Sequence, residues 1–431
     1  SSDLMKKLLA NKFKSSLFIS LCFSFLLTSC YKDKGSVTMT YYKGVAIYGD
    51  IETLRNTPLL SSAKIVENPG KIFIGEDFIL IGEEHKGIHV FDNSNPNSPV
   101  NVSFLDIPFS KEFFVEDNVI YAESHYDFLK IDISNVYSPS ILFRYENTFG
   151  SPLLNNSGQQ LLGFNFELVT ETLKLNSPEV NALNESFDLY YDYSNQLIPA
   201  ANVPSSFAGN SAQDLGTLNK IAIYDKFIYM VGKSKLIYFE DNQSNFVNVQ
   251  ELLLDDGLET IYLEDDNLFI GSDNSMTIVN VSTPSAPNYV SEYFHSVSCD
   301  PVLPFKDVAY LTLRSNDDGC NGTINSLDVI DINNINNPTP LTSIEMSSPY
   351  GLRIVNNYLF IGEGINGLTV FDANSPENLV YVNNYENIHA YDIMMHPTIS
   401  DRLLTTNQNG LQQYAIDFTT MEVYHLSTIS Y

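Results

Sequence analysis

The sequence predicts an all-β protein: a β-propeller of seven four-stranded antiparallel blades, with an insertion between the second and third recognised repeats. Three observations lead there. A five-residue string, four mostly apolar positions closed by an acid or Asn, occurs seven times, ending at Asp92, Asp132, Glu240, Asn280, Asp331, Asp372 and Asp417. The intervals are 40, 108, 40, 51, 41 and 45 residues. Upstream of each string stands another short apolar strand, such as "FILIG", "FIYMV" or "YLFIG". Downstream, several copies continue into a turn such as "NSNPNSP" or "INNINNP". Short strands at a period of about 40 residues, each unable to bury its faces alone, mark propeller blades.

Taken in chain order, the first element is a leader. Lys6, Lys7, Lys12 and Lys14 precede the apolar run 17–27, which is too short to span a bilayer. A basic region before a short apolar one is the pattern of a secretory signal, here 1–29. The run ends in "LLTSC", which resembles the lipobox of bacterial lipoproteins. That resemblance implies that Cys30 becomes the lipidated first residue, with 30–41 as its tether. Residues 42–65, with "GVAIYGDIETLRN", read as a strand and a short helix for which Asp50 is the candidate N-cap. The strand is expected to close the ring against the last blade.

The propeller is expected over 66–431. Pro cannot donate within a ladder, and Asn, Asp and Ser bond their own backbone in turns, so the closing acids read as structural turn-formers. The one long interval leaves 149–211 outside the rhythm. An eighth blade there would need a further apolar string closed by Asp, so an insertion is the preferred reading. The strings resemble the LVIVD repeat of bacterial and archaeal cell-surface proteins, which is regarded as propeller-forming. The stretch "HSVSCDPVLPFKDVAYLTLRS", followed by Cys320 and "LDVIDI", is similar to LVIVD-repeat lipoproteins. The resemblance runs from Val66 to the last residue and implies a fold and a location, with no activity attached. Glu240 and Asn280 depart from the Asp, and the last copy lacks the Pro turn.

A formal charge of −29 repels nucleic acid and anionic lipid, so no nucleic-acid partner is expected and the membrane is met through the lipid alone. In an exported protein Cys299 and Cys320 form an even pair, for which a disulfide is the default. On a propeller frame, loops between strands two and three share a face with the connections between blades. The 149–211 insertion maps to that face, as do His85, His125, His295, Asp300, Arg314, Asp317 and His389, the candidate binding residues. Imidazoles with a carboxylate suit a transition metal, and "SNDDGCNGT" (315–323) is oxygen-rich enough to suggest Ca2+. The histidines come from different blades without ligand spacing, and the loop lacks the twelve-residue calcium pattern, so no cofactor is expected. "GEGING" (362–367) joins two strands and opens no helix, which excludes a dinucleotide site. The expected function is non-enzymatic binding of an envelope protein or glycan at the bacterial outer membrane. The alternatives are an envelope hydrolase or lyase at the channel mouth, built from His125, His295, Asp300, Arg314 and His389, or a structural subunit of an outer-membrane complex.

Overall fold

A computed structural model describes residues 35–149, 154–175, 180, 189–192, 220–232, 234–244, 247–255, 257–272, 274–296, 301–315 and 324–431. The leader, Cys30, Cys299, Asp300, Asp317 and Cys320 lie outside the described residues. The chain divides into two compact units. The larger comprises Tyr48–Leu162 and Ile198–Tyr431, and the smaller comprises the residues before Tyr48 with Gly163–Leu197.

In the larger unit the described residues form seven antiparallel sheets, each built from four consecutive strands. Blade one begins at Pro69–Ile74, blade two at Phe113–Glu116, blade three at Ile221–Tyr224 and blade four at Leu258–Glu264. Blades five, six and seven begin at Val302–Phe305, Leu352–Val355 and Asp392–Met395. Strand two of each blade explains the apolar strings upstream of the acids. Val308–Leu313, for example, is buried at every position. It lies in the middle of a sheet covered on both faces, so it reads as a continuous apolar run rather than an alternating one. The outermost strands, such as Thr339–Glu345, are covered at fewer positions and carry the polar residues.

Burial falls into seven apolar clusters, one for each seam between neighbouring blades. Between blades one and two, for instance, Ile88 and Leu105 meet Phe113 and Ile133. The closing seam joins Ile72, Ile79 and Phe91 of blade one to Met394, Leu404 and Leu411 of blade seven. Each sheet buries its faces against its neighbours, which is why the repeats must share their apolar spacing.

The closing residues of the strings build the turns to strand four. The side chains of Asp92, Asp132, Asn280, Asp331, Asp372 and Asp417 each accept a hydrogen bond from the amide two residues on, at 2.8–3.2 Å. This local bond is why a short acid or amide recurs there. Glu240 is one methylene longer; its carboxylate pairs with Lys226, and Asn242 accepts the Ser244 amide instead.

One expectation is corrected. Blade seven is complete from its own residues, Asp392–Met395 to Glu422–Ile429, so among the described residues no N-terminal strand enters it. The strand Ser36–Gly49 pairs instead with Gln160–Lys174 and Leu189–Asp192 in a separate three-stranded sheet. Both partners come from the insertion, so within the described residues this segment holds no eighth blade. Its Thr38–Thr172 and Thr40–Thr170 hydroxyl pairs, at 2.9 and 2.8 Å, lie side by side across the ladder. The ring closes by packing, and the extra N-terminal strand, Leu60–Ser62, adds to the outer edge of blade one. The short helix Glu52–Arg55 follows Asp50, whose carboxylate accepts the Glu52 amide at 3.1 Å, while Ile51 occupies the N-cap position.

Candidate functional site

The loops between strands two and three meet the inter-blade connections on one face. His85, at the tip of the blade-one loop, donates its amide to Ser110 O at 2.8 Å and accepts from Phe109 N at 2.9 Å. Its φ of 60° is the left-handed turn conformation. His125 holds the equivalent position in blade two, with φ 61°. Asn274 O accepts the His295 amide in blade four, and Gly362 O accepts the Tyr350 amide in blade six.

Carboxylates fix these loops from below. Glu83 accepts the Glu67 and Asn68 amides at 3.0 and 2.9 Å, and Glu363 accepts those of Ser347 and Ser348 at 2.7 and 3.2 Å. Each also takes a hydrogen bond from the residue six further on, His89 Nε2 at 3.0 Å and Thr369 Oγ1 at 2.5 Å. Glu123 does the same work in blade two, accepting Lys111 N at 3.1 Å. Buried amides need acceptors, and one carboxylate supplies two or more lone pairs. Burial alone would raise the Glu83 pKa, but the two amides and the His89 ring outweigh it and hold the group below its usual value. Glu123 goes the other way: burial, then the charge of Glu112, pushes it up to about 7.

Beside Glu123, residues at or near the start of strand one carry an alternating set of charges over four consecutive blades. They are Asp392 in blade seven, Lys71 in blade one, Glu112 before blade two and Lys220 before blade three. Burial brings Lys71 down to about 8; Glu112 and Asp392 oppose the shift and Lys220 adds to it. Strand one lines a propeller's channel, so this set marks the channel mouth. The sequence analysis missed Lys71, Glu112, Glu123 and Asp392. Superposing the repeats on their strand-one segments, "KIFI", "EFFV", "KIAI" and "DIMM", brings the charged position into register.

The residues expected on the binding face divide among different environments. His125 is buried: its Nε2 meets Leu161 O at 2.8 Å and its ring packs on Phe109 and Tyr126. Burial lowers its pKa to about 4, so the ring is neutral at pH 7. His85 is half-buried, lowered by burial against the opposing charge of Glu84. His295 Nδ1 bonds Ser296 O at 2.9 Å, and His389 is exposed in the connection between blades six and seven. Arg314 lies with its guanidinium carbon 4.0 Å from the centre of the Tyr350 ring. The structure therefore brings His85 and His125 together around Phe109, and places Arg314 and His389 on the later blades. Among the described residues, no group of three or more His, Cys, Asp or Glu side chains is placed to hold a metal ion.

Two segments match a known repeat, residues 259–294 and 351–387. They are LVIVD repeats. Each LVIVD repeat coincides with one blade, the first with blade four and the second with blade six, so one repeat supplies one four-stranded sheet. Solved propellers are similar in fold. A functionally unknown protein from Desulfotomaculum acetoxidans is 11% identical with a TM-score of 0.50, over 82% of this chain and 96% of that one. The WD40 domain of Neurospora crassa Pan2 is 9% identical with a TM-score of 0.49, over 87% and 94%. Such identities speak for the fold alone. No functionally curated protein matches the sequence.

Proposed function

We propose that the chain is a lipid-anchored protein of the bacterial envelope whose propeller serves as a non-enzymatic binding module. Its working surface is the loop face from which the 149–211 insertion departs, and its partner is an envelope protein or glycan. A propeller fold suggests an interaction module, and one observation favours this face in particular. Buried carboxylates, Glu83, Glu123 and Glu363, tie its connections to its loops, so the surface is built before any partner arrives. A preorganised surface loses less conformational entropy on binding. The anchor rests on the basic leader and the "LLTSC" motif. Replacing Cys30 by Ser is expected to abolish incorporation of labelled palmitate and release the protein from the membrane fraction.

The binding role is tested by cross-linking capture from envelope extract, comparing wild type with a chain whose 149–211 segment is replaced by a Gly/Ser linker. A partner held by the first and lost by the second supports the reading, provided circular dichroism shows both folded. No partner in either sample overturns it. A second reading, a hydrolase or lyase at the channel mouth, is favoured by the two groups there that titrate near neutrality, Lys71 and Glu123. It requires that Lys71→Met and Glu123→Gln abolish turnover while partner capture survives.

A further inference from the structure

Half of the described cations have a carboxylate in an ion pair. Arg55 and Arg144 share Asp127, Lys86 reaches Glu67 and Glu83, Lys130 pairs with Asp241, and Lys235 pairs with Glu251. With 52 acids to 23 bases, such pairing is the expected condition. Arg314 differs. It is half-buried on the loop face, its guanidinium stacks on Tyr350, and among the described residues no carboxylate pairs with it. A stacked guanidinium is held flat with its N–H donors directed outward in a fixed fork, the geometry that takes a carboxylate.

The ring beneath it belongs to a fixed platform. Tyr350 and Tyr391 meet edge to face, with centroids 4.8 Å apart and planes at 88°. Gly364, at φ 57°, lies directly against both; a Cβ there would stand 2.9 Å from Tyr350 and 3.1 Å from Tyr391. The main chain holds the pair in place. Thr312 Oγ1 donates to Tyr350 O at 2.6 Å, Tyr350 N to Gly362 O at 2.8 Å, and Gly351 N to Tyr391 O at 2.9 Å. The exposed Gln408 extends the row, its amide donating to the Tyr391 hydroxyl at 3.3 Å, and His389 is exposed in the same connection as Tyr391.

We propose that Arg314, Tyr350, Tyr391 and Gln408 form a binding site for a sugar ring bearing a carboxylate, the unit of an acidic polysaccharide. The proposal deepens the reading of this face as the binding surface and rests on it. Aromatic rings accept the C–H face of a sugar, an amide such as Gln408 bonds its hydroxyls, and the guanidinium, with no carboxylate partner among the described residues, takes the acid group.

The test is isothermal titration calorimetry of the full chain with trigalacturonate. Its methyl ester is the uncharged control and triglutamate the acidic-peptide control. The proposal expects trigalacturonate to bind, the ester to bind at least about tenfold more weakly, and Arg314→Gln and Tyr391→Leu each to weaken trigalacturonate by about tenfold or more. Arg353→Gln, at an exposed position in blade six, should leave affinity unchanged, and matching melting curves establish that all variants fold. No binding of trigalacturonate, equal binding of the ester, tighter binding of triglutamate, or an Arg314→Gln chain that binds like wild type each overturns the proposal. Capture of a partner by the Arg314→Gln chain at wild-type level overturns this site and leaves the binding face standing. Loss of capture in every version, wild type included, removes the face itself.

Discussion

The ring closes with a polar pair where five other seams use apolar residues. Asn93, the residue after the closing acid of blade one, is 4% exposed, and Gln413, four before the closing acid of blade seven, is fully buried. Their amides bond reciprocally, Asn93 Nδ2 to Gln413 Oε1 at 3.1 Å and Gln413 Nε2 to Asn93 Oδ1 at 2.7 Å; Gln413 also reaches Ser427 Oγ at 3.2 Å. The equivalent pairs in other seams are Ile88 with Ile133, Leu236 with Val281, Met276 with Ile332, Leu327 with Ala373 and Leu368 with Phe418. Replacing one partner strands the other's amide in an apolar seam, at a cost of about 1–3 kcal/mol. Replacing both restores the pattern of the other seams, so Asn93→Ile with Gln413→Leu should fall within about 1 kcal/mol of wild type. The two sites are thus coupled by about 1 kcal/mol or more, read as a double-mutant cycle in urea with far-ultraviolet circular dichroism. Size-exclusion chromatography of refolded protein should also show more oligomer for the double variant, because its closing seam no longer differs from the rest. Additive single costs, with the double variant as unstable as their sum, would refute the reasoning.

Further expectations follow from the same geometry. Asp127, 1% exposed, takes both Nε and Nη2 of Arg55 at 2.9 Å and Nη1 of Arg144 at 3.0 Å, so Asp127→Ala removes the carboxylate that pairs with Arg144, leaves Arg55 only Glu52 and Glu146, and should cost about 3–5 kcal/mol in thermal unfolding. For Glu123, whose folded pKa of about 7 lies above its unfolded value, the contribution of this group to stability is fully present below the unfolded pKa and is lost as pH rises through 7. Melting curves from pH 4 to 8 should therefore favour Glu123→Gln progressively over wild type, and a pH-independent difference would contradict the assignment. At Gly87, with φ 145°, an added Cβ would stand 1.9 Å from Leu105 O, whereas at Gly158, with φ 76°, it meets nothing within 4 Å. Gly87→Ala should lower the melting temperature far more than Gly158→Ala, since both bear backbone strain and the first alone adds a steric clash.

The blades were legible because the strings record burial directly: a central strand covered on both faces must be apolar throughout, and the turn after it selects a short acid or amide. Blade seven's independence of the N-terminal strand was not legible, since "GVAIYGD" has the alternation of any strand and nothing local says which edge it joins. The candidate site was read less well. His125 looks like a loop histidine, yet its burial depends on Leu161, 36 residues on, returning to cover it. Tyr350 and Tyr391 are two of 26 tyrosines, and only the backbone approach of Gly364 distinguishes them. Arg314 was marked for its place on the face; the absence of a described carboxylate partner, which gives it chemical meaning, is a property of three dimensions.

Repetition creates a problem that its exceptions address. If every seam were apolar at the same two positions, any blade could pack against any other, and the order around the ring would rest on the connections alone. Two seams break the pattern. One is the closure, where Asn93 meets Gln413. The other lies between blades two and three, where the position after the closing residue is Asp241, paired with Lys130 and hydrogen-bonded by Tyr145. These are the two places where chain continuity helps least: the ring ends at one, and the long 149–211 excursion separates neighbours at the other. A buried polar pair penalises every partner that cannot complete it, which is how specificity is imposed on otherwise interchangeable surfaces. Short linkers set the order of the remaining blades, so their seams are free to be purely apolar.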